Sequence, residues 1–230
     1  MTSEWTVGTS LAIGLAAFLL GWYVVGLYVN RRRAGQMVRQ VRDSIQPFGG
    51  TATIRWIGRS AFRIEVDKLQ APLTGLGISL LLEPRETFLL WLFGRCFGRR
   101  DWLMLSVSLD GAVKGAFDVY HPRRRGAMDS AHEIRDLGWE TTAAPGRPEL
   151  LMAAPGPDGR ALAQETLSAL RPLNLWRVRV RNKTPQLTIS LPVLATETRV
   201  PLPVFPLIPQ IAHLILAGRG TDHSSKEAQQ

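Results

Sequence analysis

An uninterrupted apolar run near the N-terminus, residues 7–29, constrains this chain more than any other feature. The run contains no charged residue and is followed at once by Asn30 and then by three arginines. A helix rises about 1.5 Å per residue, so the run gives roughly 35 Å, enough to cross a hydrocarbon core of about 30 Å. The sequence therefore predicts a transmembrane anchor over residues 1–30.

A signal peptide and a buried core helix both fit the run less well. A secretory signal peptide has a positively charged segment before an apolar stretch of about 7–15 residues, whereas here the positive charges follow a longer stretch. A buried core helix is usually shorter and amphipathic, whereas this run is apolar on all sides. A spanning helix is therefore the favoured interpretation.

The arginines after the run predict its orientation, because Lys and Arg close to a span are retained on the cytoplasmic side. We expect the N-terminus outside and the rest of the chain in the cytoplasm, where a single cysteine, Cys96, suits the reducing conditions. An Arg-rich, Lys-poor composition is typical of a high-GC bacterial genome, so we expect a single-pass protein of the bacterial inner membrane. The membrane-proximal basic residues are Arg31, Arg32, Arg33, Arg39 and Arg42.

A stripe of small residues follows one face of the predicted anchor, at alternating four- and three-residue spacing. Its members are Ser10, Gly14, Ala17 and Gly21. In lipid, packing at small residues is a main source of helix association, so we expect a helix partner, either another membrane protein or a second copy of this chain. The alternative is a chance alignment, since Gly and Ala are common in spanning helices.

The composition divides the remainder of the chain. Residues 31–50 are predicted to form a basic juxtamembrane helix or linker, which Pro and Gly then end. Residues 51–199 contain the predicted cytoplasmic domain, and residues 200–217 form a Pro-rich apolar arm that finishes in a short helix. We expect the arm to pack on the domain's own core, because large exposed apolar patches are rare. The alternative is an arm that lies on the membrane or on a partner. Residues 218–230 are polar and are predicted to be disordered.

Strand patterns dominate the predicted domain, and single helices follow pairs of strands. The predicted hairpins join residues 51–57 with 60–66, 102–109 with 113–120, and 175–181 with 186–191. Because hairpins dominate and helices do not follow every strand, the sequence predicts an α+β fold with a mainly antiparallel sheet and helices packed on one face.

The chain carries no recognisable catalytic signature. Its four histidines are scattered and its one cysteine has no cysteine companion, which is unlike the spacing of a metal site. Gly75 and Gly77 resemble the start of a dinucleotide fingerprint, but Leu80 occupies the third glycine position. We therefore expect no catalytic residue, no metal and no cofactor, although an enzyme whose site leaves no local motif stays as an alternative.

One predicted strand carries its basic residues on a single face. Arg177, Arg179 and Arg181 alternate with apolar residues, which puts three guanidinium groups on one face of a strand. In a chain of net charge +9, this face is a candidate surface for anionic lipid or another polyanion. Nucleic acid is disfavoured, since single-strand readers add exposed aromatic platforms. The alternative is a solvated face neutralised by nearby acidic residues, namely Glu65, Asp67 and Glu197.

These patterns lead to two functional hypotheses. The leading one is a non-enzymatic membrane protein whose cytoplasmic domain is an accessory, assembly or scaffold element of a membrane complex. The second is a membrane-anchored domain that binds anionic lipid or another polyanion through the basic strand.

Overall fold

A computed structural model describes residues 2–58, 60–124, 126–193 and 202–216. The predicted disordered tail, residues 218–230, lies outside the described residues, as does part of the predicted arm. The helices are α1 (Thr2–Ile45), α2 (Phe88–Cys96), α3 (Ala127–Asp136), α4 (Pro157–Ala169) and α5 (Ile208–Ile215).

Helix α1 runs without a break from the apolar run into the juxtamembrane segment. It ends at a short 3-10 turn that contains Pro47, after which Gly49 adopts a φ of 69°, a left-handed conformation that glycine adopts readily. Within the described residues, α1 is the one helix long and apolar enough to cross a membrane. Only 6% of its most apolar window is buried, which distinguishes it from the core helix of a soluble protein.

Nine strands of the described chain form one sheet in which every neighbouring pair is antiparallel. They are β1 (Thr51–Trp56), β2 (Ala61–Asp67), β3 (Leu73–Leu81), β4 (Trp102–Leu109), β5 (Phe117–Tyr120), β6 (Glu140–Ala144), β7 (Arg147–Ala154), β8 (Arg177–Val180) and β9 (Leu187–Pro192). Their order across the sheet is β1-β2-β3-β4-β9-β8-β5-β7-β6. The predicted α+β class with an antiparallel sheet is confirmed.

The predicted hairpin between residues 102–109 and 113–120 is wrong. Strand β4 pairs with β3 and β9, whereas β5 pairs with β8 and β7. Between β4 and β5 the chain leaves the sheet, and the Lys114 amide donates to the carbonyl of Ile215 at the end of α5. Strand β5 carries the buried Asp118, and its charge is matched by arginines of β8. Pairing with β8 therefore satisfies a buried carboxylate.

The main core lies on one face of the sheet. The C-terminal part of α1 reaches it through Val41 and Ile45, and α4 and α5 cover the rest. The described part of the apolar arm is buried in this core at Leu202, Val204 and Phe205. The arm therefore packs on its own domain, as the sequence predicts.

Helix α3 lies on the opposite face of the sheet from this core. Its Ala127 and Ile134 pack with Tyr120 of β5 and Ala153 of β7 in a second, smaller cluster. The prediction of helices on one face therefore describes α1, α4 and α5 but not α3.

Candidate membrane-proximal site

The small-residue stripe on α1 is exposed along its length. A Cβ added at Gly14 or at Gly21 would meet no atom of the described chain within 4 Å. At both glycines the stripe is thus a face that no other described part of this chain covers.

The five membrane-proximal arginines divide into two groups. Arg31, Arg32, Arg39 and Arg42 are exposed, whereas Arg33 is half-buried and lies 3.0 Å from the Asp101 carboxylate. Arg33 therefore contributes to a contact inside the protein, and the other four present their charge to the surroundings.

Asp101, just before β4, is the centre of a buried polar network. Its side chain is 4% exposed and accepts two hydrogen bonds of 3.0 Å from the Arg85 guanidinium, one on each oxygen. It also accepts the Glu83 amide at 2.8 Å. Paired, fork-to-fork contacts of this kind are the strong form of an Arg–carboxylate interaction. The Arg33 contact extends this network to α1.

Asn30 connects α1 to the same network. Its Nδ2 donates to the Glu83 carbonyl at 3.0 Å and to Glu86 Oε2 at 2.7 Å, and its Oδ1 accepts Arg85 Nη1 at 3.0 Å. In the sequence pattern Asn30 marks only the end of the apolar run. The sequence shows only a polar, uncharged residue between apolar residues and arginines. It does not predict the hydrogen bonds of Asn30, because the partners lie more than 50 positions away.

Helix α2 packs against the apolar part of α1. The Trp22 ring lies 4.9 Å from that of Phe88 and 5.1 Å from that of Trp91, measured between centroids. The Trp22 Nε1 donates to the Arg85 carbonyl at 2.8 Å. The outer side of α2 remains exposed at large apolar residues, namely Leu89, Leu90, Leu92, Phe93 and, just beyond the helix, Phe97.

A cavity of about 370 Å³ lies between α2 and the adjacent end of the sheet. Its apolar wall includes Leu90, Trp91 and Trp176. Its charged lining comprises Glu83 and four arginines, Arg99, Arg100, Arg123 and Arg124. The cavity thus combines an aromatic floor with a cluster of guanidinium groups. The sequence contains each of these segments, but only the fold brings them together.

The basic strand faces two carboxylates of its own chain. Asp118, whose side chain is fully buried, accepts Arg177 Nε at 3.0 Å and Arg179 Nε at 3.1 Å, with Arg181 Nη2 at 3.5 Å. Glu133 of α3 accepts hydrogen bonds from Arg179 and Arg181. Among the described residues, the neutralising carboxylates are therefore Asp118 and Glu133. Glu65 pairs with Arg63 instead, and Glu197 lies outside the described residues.

The carboxyl group of Asp118 in this cluster has a strongly raised pKa. Burial raises the pKa of Asp118 to about 7, against the lowering effect of Arg179 and Arg181. Arg181 also lies over the Trp139 ring, 4.4 Å from its centroid. The contacts tie β5 and β8 to α3, so the arrangement can act as an electrostatic fastening of that helix to the sheet.

No known family model matches this chain, and no curated protein matches it. Among the described residues, no group of three His, Cys, Asp or Glu side chains could hold a metal ion. A proposal for the function therefore rests on the contacts that α1 makes, the residues that line the cavity and the contacts of the basic strand.

Proposed function

We propose that this chain is a non-enzymatic, single-pass protein of the bacterial inner membrane. Its cytoplasmic α+β domain serves as an accessory, assembly or scaffold element of a membrane complex. The N-terminus lies outside, and the exposed arginines of α1 lie beside the cytoplasmic leaflet, where each contributes about 1 kcal/mol of attraction to anionic lipid.

The observation that carries the proposal is the buried joint between α1 and the domain. The polar network around Asp101 holds α1 through Asn30 and Arg33, and the same helix continues into the core at Val41. A helix fastened in this way cannot swivel freely against the domain. The domain is held in one orientation at the membrane surface, which suits a scaffold better than an enzyme that searches on a flexible tether.

The exposed small-residue stripe supports a partner inside the membrane. Lipid offers little hydrophobic drive for association, so a face that lets backbones approach closely is where a second helix gains packing contacts. That helix belongs to another membrane protein or to a second copy of this chain.

The basic strand supports the scaffold role more than polyanion binding. Its side chains are 16–24% exposed and are already engaged by Asp118 and Glu133. A polyanion would have to displace two internal carboxylates from three arginines.

Purification of the tagged full chain in mild detergent tests the proposal, with mass spectrometry of what remains bound in stoichiometric amount. The test variant carries Gly14→Leu and Gly21→Leu, and the matched control carries Ala12→Leu and Ala16→Leu, which adds similar bulk on the other side of α1. We expect the partner, or the homo-oligomer, to survive in the wild type and the control and to be lost in the test variant. A wild-type protein that emerges alone and monomeric would overturn the scaffold proposal.

A further inference from the structure

We propose that the cavity between α2 and the sheet binds one anionic phospholipid of the cytoplasmic leaflet. The phosphate lies among the four cavity arginines, and the acyl chains lie along the exposed apolar side of α2. This inference rests on the membrane anchoring of the proposed function and adds a ligand to it.

The depth of α2 along the membrane helix is the first reason. Phe88 and Trp91 pack on Trp22, which lies nine residues before Arg31 and therefore about 14 Å further along the helix axis. If Arg31 lies at the headgroup level, the beginning of α2 lies at the depth of acyl chains. The exposed leucines and phenylalanines of α2 then contact lipid, which removes an apolar patch from water.

The charge of the cavity is the second reason. No carboxylate of the described residues forms an ion pair with Arg99, Arg100, Arg123 or Arg124, although Arg33, Arg85 and the basic strand all have one. The four arise from two separate segments, one before β4 and one after β5. Guanidinium groups match phosphate oxygens in geometry and charge, so convergent, uncompensated arginines select an anionic headgroup.

Unpartnered donors on residues that line the cavity are the third reason. Trp102 Nε1 and Arg124 Nε are buried without a hydrogen-bond partner, whereas most buried donors are paired. The Arg124 guanidinium is positioned 5.5 Å from the centroid of the Trp176 ring. Both donors belong to residues that line the cavity. Because the two atoms are covered in this structure, a phosphate or glycerol oxygen would satisfy them after a small shift of either side chain.

The remaining polar group and the size of the cavity agree with this ligand. Glu83 also lines the cavity, but its carboxylate lies 3.4 Å from Arg85 and 3.8 Å from Arg95, which offsets its repulsion of an anion. At about 370 Å³, the cavity lies in the range of small-molecule sites. It suits a phosphate-containing headgroup, while the longer acyl chains extend along α2.

Native mass spectrometry of the detergent-solubilised full chain tests the inference. Phosphatidylglycerol or phosphatidylcholine is added in parallel, and inorganic phosphate is added as a competitor. The test variant is Arg99→Gln with Arg123→Gln, both exposed positions, and the control is Arg55→Gln with Arg135→Gln, which removes the same charge elsewhere. Trp102→Phe removes one donor and retains an aromatic ring.

We expect one phosphatidylglycerol adduct in the wild type and the control, weak phosphatidylcholine binding, and an affinity reduced about tenfold or more in the test variant. Trp102→Phe should weaken the adduct by a smaller factor. Equal binding of both lipids, or no loss in the test variant, would overturn the inference. Displacement of the lipid by millimolar inorganic phosphate would indicate that the cavity binds a soluble phosphate compound. That result would also overturn the inference.

Carbonate extraction of membranes separates this inference from the proposed function. Wild type and test variant should both stay in the membrane pellet, because α1 alone anchors them. Release of the wild type would contradict the anchoring itself. Retention with unchanged lipid adducts would contradict the lipid site alone.

Discussion

Asp101 is a buried carboxylate that holds two arginines from distant parts of the chain, Arg33 and Arg85. Removing one partner of a buried pair is costly, because the remaining charge stays desolvated. The Arg85 side chain is 12% exposed, so water replaces the lost carboxylate poorly. The stability of the joint between α1 and the domain is therefore concentrated at a few residues.

We expect Asp101→Asn to lower the free energy of unfolding by about 3 kcal/mol. The matched control is Glu65→Gln, since the Arg63–Glu65 pair is about half exposed on both sides and should contribute less than about 1 kcal/mol. Urea unfolding in detergent, followed by tryptophan fluorescence, measures both. Equal losses in the two variants would show that the Asp101 network does not hold the joint.

Asp118 predicts a pH dependence of stability. Burial raises its pKa from 3.8 to about 7, so the folded carboxyl retains its proton to a higher pH than the unfolded one. The associated stabilisation is complete below pH 3.8 and is lost as the pH rises to about 7. The free energy of unfolding of the wild type, relative to Asp118→Asn, should therefore fall across this window and then level off.

Unfolding measured at closely spaced pH values checks this expectation. If the difference between wild type and Asp118→Asn instead grows as the pH rises, the arginines around Asp118 keep it ionised throughout. That outcome would mean that the arginines lower the pKa of Asp118 by more than burial raises it.

At the scale of elements, α1 and the segment before α2 approach each other at Gly26. A Cβ added there would lie 2.2 Å from the Arg85 carbonyl oxygen and 2.7 Å from the Glu86 Cα, and both atoms belong to backbone that cannot rotate away. Gly35 on the same helix has nothing within 4 Å of an added Cβ. One glycine is required by packing and the other is not.

Gly26→Ala should accordingly destabilise the protein by about 1–3 kcal/mol, as overpacking does. Gly35→Ala should be neutral or stabilising by up to about 1 kcal/mol, because alanine has the higher helix propensity. Thermal unfolding in detergent compares the two substitutions. A Gly26→Ala protein as stable as Gly35→Ala would mean that α1 does not pack against the segment before α2.

Helix α2 is a second element whose surroundings can be measured, because its last residue, Cys96, is the single thiol of the chain and is exposed. If α2 lies in the leaflet, a charged thiol reagent should modify Cys96 slowly in inverted membrane vesicles and quickly after detergent is added. Phe93→Asp should raise the rate in vesicles by weakening insertion of the apolar side.

The control carries Cys96→Ser with Lys183→Cys, which places the thiol in the loop between β8 and β9, at the opposite end of the sheet from Trp102 and Arg177. It should react at similar rates in vesicles and in detergent. Equal rates for Cys96 in both conditions would place α2 in water.

For the whole molecule, the membrane helix and the sheet are parts of one packed unit. The same end of the sheet contributes Trp102 of β4 and Trp176 before β8 to the cavity, and α1 passes beside it on the way to the core. Under the proposed function, this end of the sheet faces the bilayer and the other end faces the cytoplasm. A scaffold and a lipid site both depend on this fixed orientation.

Local patterns in the sequence predict much of this molecule. The apolar run predicts α1, and the three expected hairpins predict six of the strands near their observed positions, with β5 beginning later than expected. The apolar arm and its helix are also predicted, as is their burial. Each of these features depends on the hydrophobicity and spacing of residues that are neighbours along the chain.

Partners far apart in sequence could not be predicted in this way. The position of α2 beside Trp22 and the pairing of Arg177 with Asp118 both join residues at least 59 positions apart. Strand β4 pairs with β9 and not with β5, the next strand along the chain. Alternation places Arg177, Arg179 and Arg181 on one face but cannot tell whether that face meets water or a buried carboxylate.

The sequence by itself determined the apolar helix, its basic flank and an antiparallel α+β domain, because these depend on periodicity and charge within short windows. Only the tertiary structure decided that α1 is fastened to the domain, that α2 lies along it, and that four arginines without carboxylate partners among the described residues share a cavity. Those features depend on which residues, far apart in sequence, come into contact once the core has formed. A buried contact is favourable only when its charges are paired and its side chains fit together.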